Sequence, residues 1–130
     1  MLFNLETDYA IRIMDCLAAQ KGIIDAESIS AVTGVTQRFA LKILRKLVAG
    51  GFVVSQKGAK GGYRLAKPAK EISLLDVIEA VNGEITFSRC QTAEGFCSNP
   101  NNPCKFKRVF EQTGKMITEQ FQNVHFEGKE

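Results

Sequence analysis

Thr36-Gln-Arg-Phe-Ala-Leu-Lys-Ile-Leu-Arg-Lys-Leu-Val-Ala-Gly-Gly51 runs straight into Phe52-Val-Val-Ser-Gln-Lys-Gly-Ala-Lys-Gly-Gly-Tyr-Arg-Leu-Ala66. The two runs differ in period. In the first, Ala40, Ile43, Leu44 and Leu47 recur at i, i+3, i+4 and i+7, which is one face of a helix. Thr36 suits its N-cap, and Gly50-Gly51 stops it. In the second, two short β-forming runs, 52–56 and 63–66, flank a glycine-rich tip, the pattern of a hairpin. Upstream, Asp25 caps a short helix through Ala26, Ile29 and Val32 that ends at Gly34. A short helix, a glycine turn and a second helix make a helix-turn-helix. A hairpin placed directly after it is a wing. The expected fold is therefore mainly α with a small β-hairpin, a winged helix-turn-helix.

Charge follows the same stretch. Residues 36–70 hold nine of the chain's 17 basic residues and no Asp or Glu, although the 130-residue chain carries a net charge of only +3. A block this one-sided suits a polyanion partner; it also suits a plain solvated surface. Arg38, Lys42, Arg45 and Lys46 line the outer face of the predicted helix, which has no acid of its own to pair with them. Phosphates and base edges in a major groove would account for them. Gln37 and Arg38, in the first turn beside Thr36, are the candidate base readers. Lys42, Arg45 and Lys46 are the candidate phosphate contacts. On the wing, Lys57, Lys60 and Arg64 add charge, and Gly61 at the tip permits close approach to a backbone. Lys57-Gly-Ala-Lys-Gly-Gly62 lacks the Gly-Lys-Ser/Thr ending of a nucleotide loop and leads into a strand, so a nucleotide site is rejected.

Working outward, a first helix is expected from about Thr7, as its cap, to Ala19, with Ala10, Ile13, Met14 and Leu17 facing inward. Cys16 in that apolar stretch reads as a buried structural thiol. Asp8, in the first turn, suits the positive end of the helix dipole. Downstream, Lys67-Pro68-Ala69-Lys70 is a linker, and Ser73-Leu74-Leu75-Asp76 opens another helix with a capping box. A last helix opens at Asn102-Pro103, with Cys104 in its first turn. Phe106, Val109, Phe110, Thr113, Met116, Ile117, Phe121 and Val124 form its apolar face. At about 20 residues it would be near 30 Å long, which predicts a dimerisation helix; the alternative is a helix folded back on its own domain. Gly114 within it implies a close crossing, and the tail from Glu127 is expected to fray.

Cys90, Cys97 and Cys104 stand with six residues between each pair in a loop that also holds two prolines, three asparagines and a glycine. Three thiols in such a loop read as a metal or cluster site. Thiolates favour soft metals and iron–sulfur clusters, and a structural zinc with no sensing role is the alternative. Glu94 and His125 are possible further ligands. No basic-then-apolar leader opens the chain, and no apolar run approaches the ~20 residues of a membrane span. A cytoplasmic protein with reduced thiols and no membrane partner is expected. No substrate motif or histidine-based nucleophile pair is found, so an enzyme is not expected.

Thr7-Asp8-Tyr9-Ala10-Ile11-Arg12, Gly61-Gly62-Tyr63-Arg64-Leu65, Ser73–Gly83 and the three loop cysteines, taken together, resemble the winged-helix regulators of the IscR and NsrR type, the Rrf-two family. The resemblance covers nearly the whole chain. It implies a homodimeric transcription regulator, often a repressor, that binds double-stranded operator DNA. It also implies a [4Fe-4S] or [2Fe-2S] cluster on Cys90, Cys97 and Cys104, sensing redox state, nitric oxide or iron supply. The fourth ligand it implies is Asp8 from the partner subunit. The six-residue cysteine spacings are wider than the usual pattern, and Leu41 stands where IscR-like proteins carry a base-reading glutamate. The operator sequence is therefore not carried over. The expected organisation is a DNA-binding domain over 1–83, a cluster loop over 84–104, and a dimerisation helix with its tail over 105–130.

Overall fold

A computed structural model describes residues 3–87 and 104–127. Five helices and one hairpin follow in order: α1 (Leu5–Ala19), α2 (Ala26–Thr33), α3 (Gln37–Ala49), β1 (Val53–Gln56), β2 (Gly62–Leu65), α4 (Leu74–Asn82) and α5 (Lys105–Gln122), with a single 3-10 turn at Ala69–Glu71. This is the winged helix-turn-helix expected from residues 25–66.

Local chemistry explains most boundaries. Asp25 caps α2, its carboxylate accepting from the Ser28 N–H at 2.7 Å, and that bond holds its pKa below the usual range. Thr36 caps α3 through the Phe39 N–H. At α4 both halves of the capping box form: Ser73 Oγ accepts from the Asp76 N–H, and Asp76 Oδ2 accepts from the Ser73 N–H.

Two boundaries depart from expectation. The cap of α1 is Asn4, not Thr7. Asn4 Oδ1 accepts from both the N–H and the hydroxyl of Thr7, each at 3.0 Å. Thr7 is thereby a buried residue inside the helix, where its hydroxyl needs that partner. At the other end Cys104 is the N-cap of α5, one residue outside the first turn where it was expected, and it makes no side-chain capping bond. Asn102 and Pro103 lie outside the described residues.

The main core joins α1, α2, α3 and α4. Ile13, Met14, Ile29, Ile43, Leu44, Leu47, Ile72 and Val77 have no exposed surface. The apolar stripe of α3 (Ala40, Ile43, Leu44, Leu47) is wholly inside it. Cys16 is buried beside this core, and burial, with Asp15 nearby, pushes its thiol pKa up.

The hairpin pairs Val53 with Leu65 and Gln56 with Gly62 in antiparallel register. It is also tied inward. Ile24, between α1 and α2, forms an isolated bridge with Tyr63: the Tyr63 N–H donates to the Ile24 carbonyl at 2.8 Å, and the Ile24 N–H donates back at 3.0 Å. The wing is thus seated against the helical body.

α5 carries two adjacent apolar stripes. Ile117 and Phe121 pack on Leu75, Ile78 and Ile85, and Phe110 lies near the Phe87 ring at 6.3 Å between centroids. Gly114 on the same side is buried, and a Cβ there would touch the Phe87 ring at 3.6 Å. A ring of its own chain, rather than a crossing helix, covers that glycine. The other stripe, Phe106, Val109 and Met116, is more than half exposed. One side of α5 therefore folds back and the other does not. Beyond α5 the chain returns: the Leu74 N–H donates to the Val124 carbonyl and the Phe126 N–H to the Ile72 carbonyl. Residues 124–126 are accordingly pinned, with Ser73 bridged to His125, and Phe126 packs on the main core.

Candidate nucleic-acid interface

α3 presents its outer face because its inner stripe is committed to the core. Gln37 and Arg38 are exposed in its first turn. With Thr36, Phe39, Leu41, Lys42 and Arg45 they line an open depression along the helix. No acid sits in that first turn, so the N–H-rich helix end stays positive. Thr36 uses its hydroxyl as the cap, which makes it a support for this surface. Lys57 and Lys60 are exposed at the wing tip, and Arg64 on β2 is exposed with Nη1 donating back to the Leu65 carbonyl at 3.3 Å.

The cations of α3 are not all unpaired, contrary to the expectation for its outer face. Glu6, from α1, reaches across to two of them. Lys46 Nζ donates to Glu6 Oε2 at 2.8 Å, and Lys42 Nζ lies 2.8 Å from Oε1. The second contact is an ion pair without an aligned hydrogen bond, since Oε1 has no hydrogen-bond partner. The two lysines, Lys42 first, hold the Glu6 carboxyl below its usual range against the opposing effect of burial. Lys42 also sits over the Phe39 ring at 5.7 Å, and Phe39 meets Tyr9 edge-on at 5.2 Å. Glu6, Tyr9 and Phe39 had no sequence signature as parts of this surface, because the acid lies 36 residues before the first lysine it meets. No such pair involves Arg38 or Arg45 among the described residues.

The glycines at the wing tip serve the chain itself. A Cβ on Gly61 would collide with the Gln56 carbonyl, and one on Gly62 would lie 2.5 Å from the Ile24 carbonyl oxygen. Gly61 is therefore required by the turn, before any external backbone approaches it.

Of the proposed metal ligands, Cys90 and Cys97 lie outside the described residues, as does Glu94. Cys104 is half-buried at the N-terminus of α5. Asp8 is on the exposed side of α1, its Oδ2 3.0 Å from Arg12 Nη2, both side chains about half exposed. His125 is exposed. Among the described residues no three His, Cys, Asp or Glu side chains gather into a metal-sized group, so Asp8 and Cys104 of one chain do not complete a site by themselves.

A family model described as "Rrf2: Iron-dependent Transcriptional regulator" matches residues 3–128. The chain belongs to the Rrf2 family. Relatives that it matches are named HTH-type transcriptional regulators. It is 30% identical over 118 residues to the HTH-type transcriptional regulator IscR of Pectobacterium carotovorum, covering 89% of this chain and 71% of that one. It is 34% identical over 91 residues to Protein aau3 of Rhizobium meliloti, covering 69% of this chain but only 59% of the relative's length. The fold matches CymR, the global cysteine regulator of B. subtilis, with a TM-score of 0.79 at 20% identity, over 97% of this chain and 93% of that one. No described helix is long and apolar enough to cross a membrane.

Proposed function

We propose that this Rrf2-family regulator binds double-stranded operator DNA as a homodimer in the cytoplasm, with α3 in the major groove and the wing on the flanking backbone. The observation that carries this reading is the open, acid-free first turn of α3, where Gln37 and Arg38 stand exposed and line one depression with Arg45, while Lys57, Lys60 and Arg64 are exposed on the wing. Arg38 and Gln37 have the donor geometry for guanine and adenine edges. Arg45, Lys57, Lys60 and Arg64 supply phosphate contacts, joined by Lys42 and Lys46. The outward stripe of α5, Phe106, Val109 and Met116, is the candidate dimer surface.

In the same proposal Cys90, Cys97 and Cys104 hold an iron–sulfur cluster, and Asp8 of the partner subunit is its fourth ligand. The donors fit: three soft thiolates, one of them at a helix N-terminus that favours anionic groups, and a carboxylate on an outward face where only Arg12 must be exchanged. When bound, such a cluster supplies a redox-active group whose oxygen-ligated iron is open to attack by small molecules. The chain's own part is mechanical. α1 carries Asp8 and, two residues earlier, the Glu6 that pairs with α3. A pull on the start of α1 therefore reaches the recognition helix through a direct ion pair, which shifts the population of DNA-competent chains.

The test is anaerobic purification with visible and EPR spectra, iron and sulfide counts, and DNA binding of both forms. A brown protein whose spectrum and signal response change in Asp8→Ala is expected. A colourless protein with one tightly held zinc would replace sensing with a structural metal. On DNA, Arg38→Ala should cost about 1–3 kcal/mol of discrimination at one base position. Lys60→Ala should weaken all duplexes alike and lower the salt slope by about 1. Equal loss on selected and random duplexes for Arg38→Ala would remove its reading role.

A further inference from the structure

The ion-paired trio of Glu6, Lys42 and Lys46 is more than a helix-to-helix tie. Only 13% of the Glu6 side chain is exposed, whereas 61% of Lys42 and 39% of Lys46 remain exposed. The carboxylate is therefore tucked under two ammonium groups that still face outward. Lys42 lines the open depression along α3 together with Gln37 and Arg38. A phosphate approaching that face meets the two lysines first, with a negative charge already held behind them. No other carboxylate among the described residues pairs with an α3 cation.

We infer that Glu6 is a built-in counter-charge on the recognition helix: it occupies Lys42 and Lys46 in the DNA-unbound chain and holds down affinity for every duplex, leaving sequence choice to Gln37 and Arg38. This rests on the DNA-binding reading above and adds a residue outside α3 and the wing that sets its strength. The physical reason is competition. A carboxylate and a phosphate offer the same ammonium groups similar charge-assisted contacts. Whatever phosphate gains at Lys42 and Lys46 is reduced by what Glu6 gives up, and by repulsion between the two anions if Glu6 stays in place. The effect is blind to sequence because phosphates carry no base identity. It also reduces counterion release: lysines whose charge is partly offset from within neutralise fewer phosphates, so fewer cations condensed on the duplex are set free and the salt dependence of binding is shallower than the count of basic residues implies.

The restraint is useful to a switchable regulator. A chain with nine cations and no acid over residues 36–70 would otherwise cling to any duplex, and the ratio of selected to random binding decides occupancy in a genome.

The experiment compares Glu6→Gln with the unaltered full chain on two probes: a short mixed-sequence duplex, and a duplex selected from a randomised pool by the unaltered protein. Fluorescence anisotropy is read across a salt series. Expected is about three- to tenfold tighter binding to both probes, an unchanged ratio between them, and a salt slope steeper by about 1. Glu6→Ala, which leaves no group to hold either lysine, should move both probes in the same direction. Lys46→Met should lose more affinity in the Glu6→Gln background than in the native one. A folded Glu6→Gln protein, by unchanged melting temperature, that binds both probes no more tightly than the unaltered chain overturns the inference alone and makes Glu6 a positioning group. An unaltered chain that binds neither duplex overturns the DNA-binding reading as well.

Discussion

Gly62→Ala is expected to detach the wing from the helical body. A Cβ at this position would stand 2.5 Å from the Ile24 carbonyl oxygen, 2.7 Å from its carbon and 2.8 Å from Ile23 Cγ2, and the glycine φ is +156°. The obstacle is backbone, and it cannot step aside cheaply: the Ile24 carbonyl accepts from the Tyr63 N–H, and the Ile24 N–H donates to the Tyr63 carbonyl. Relief of the clash breaks these two bonds, each worth about 0.5–1.5 kcal/mol net. Forcing an L-residue into the glycine conformation costs about 1–3 kcal/mol more. A loss of about 2–6 kcal/mol in unfolding free energy should follow, with faster hydrogen exchange at the Ile24 and Tyr63 amides. Binding to duplexes should fall as well, because Lys57, Lys60 and Arg64 move with the hairpin. Unchanged protection at both amides would show that the wing is not held by this bridge.

Leu44→Ala should be among the most damaging changes on α3, although Leu44 is not itself a candidate contact residue. Leu44 has no exposed surface and lies in the core shared by α1, α2, α3 and α4. Truncating a buried leucine costs about 2–5 kcal/mol, the spread reflecting how far the cavity collapses. Against a total stability of about 5–15 kcal/mol that is a large fraction, and a fall in melting temperature of roughly 10 °C is expected. Leu41, half-buried in the open depression one turn earlier, is the contrast: its truncation should alter stability by less than about 1 kcal/mol. Urea and thermal melts of the two variants decide this. Equal losses at the two positions would mean that the faces of α3 are not divided as described.

How much of this was legible in advance depends on the range of the interaction. The caps at Asp25, Thr36 and Ser73 involve partners three residues away, so they could be read from the chain directly. The start of α1 could not. Asn4 and Thr7 are both competent caps, and Thr7 is excluded only because the core closes over it and Asn4 then satisfies its hydroxyl. The apolar positions of α5 form one broad band by periodicity. Packing on Leu75, Ile78 and Ile85 divides that band into a covered stripe and an open one. The glycines of the wing were visible as glycines, but what they make room for, the Gln56 and Ile24 backbones, depends on how the hairpin docks.

Local chemistry alone determined the helix-turn-helix, the hairpin after it, the acid-free basic block and the three spaced thiols. Each is a pattern of period, cap or composition within a few residues, where propensity and short-range hydrogen bonds dominate. Folding in space decided which of those charges are already answered. Glu6 pairs with both Lys42 and Lys46 while Arg38 and Arg45 stay exposed, and no periodicity predicts a contact across 36 to 40 residues. Such a pairing is set by the docking of α1 on α3 through their apolar faces, which places the carboxylate and the ammonium groups together.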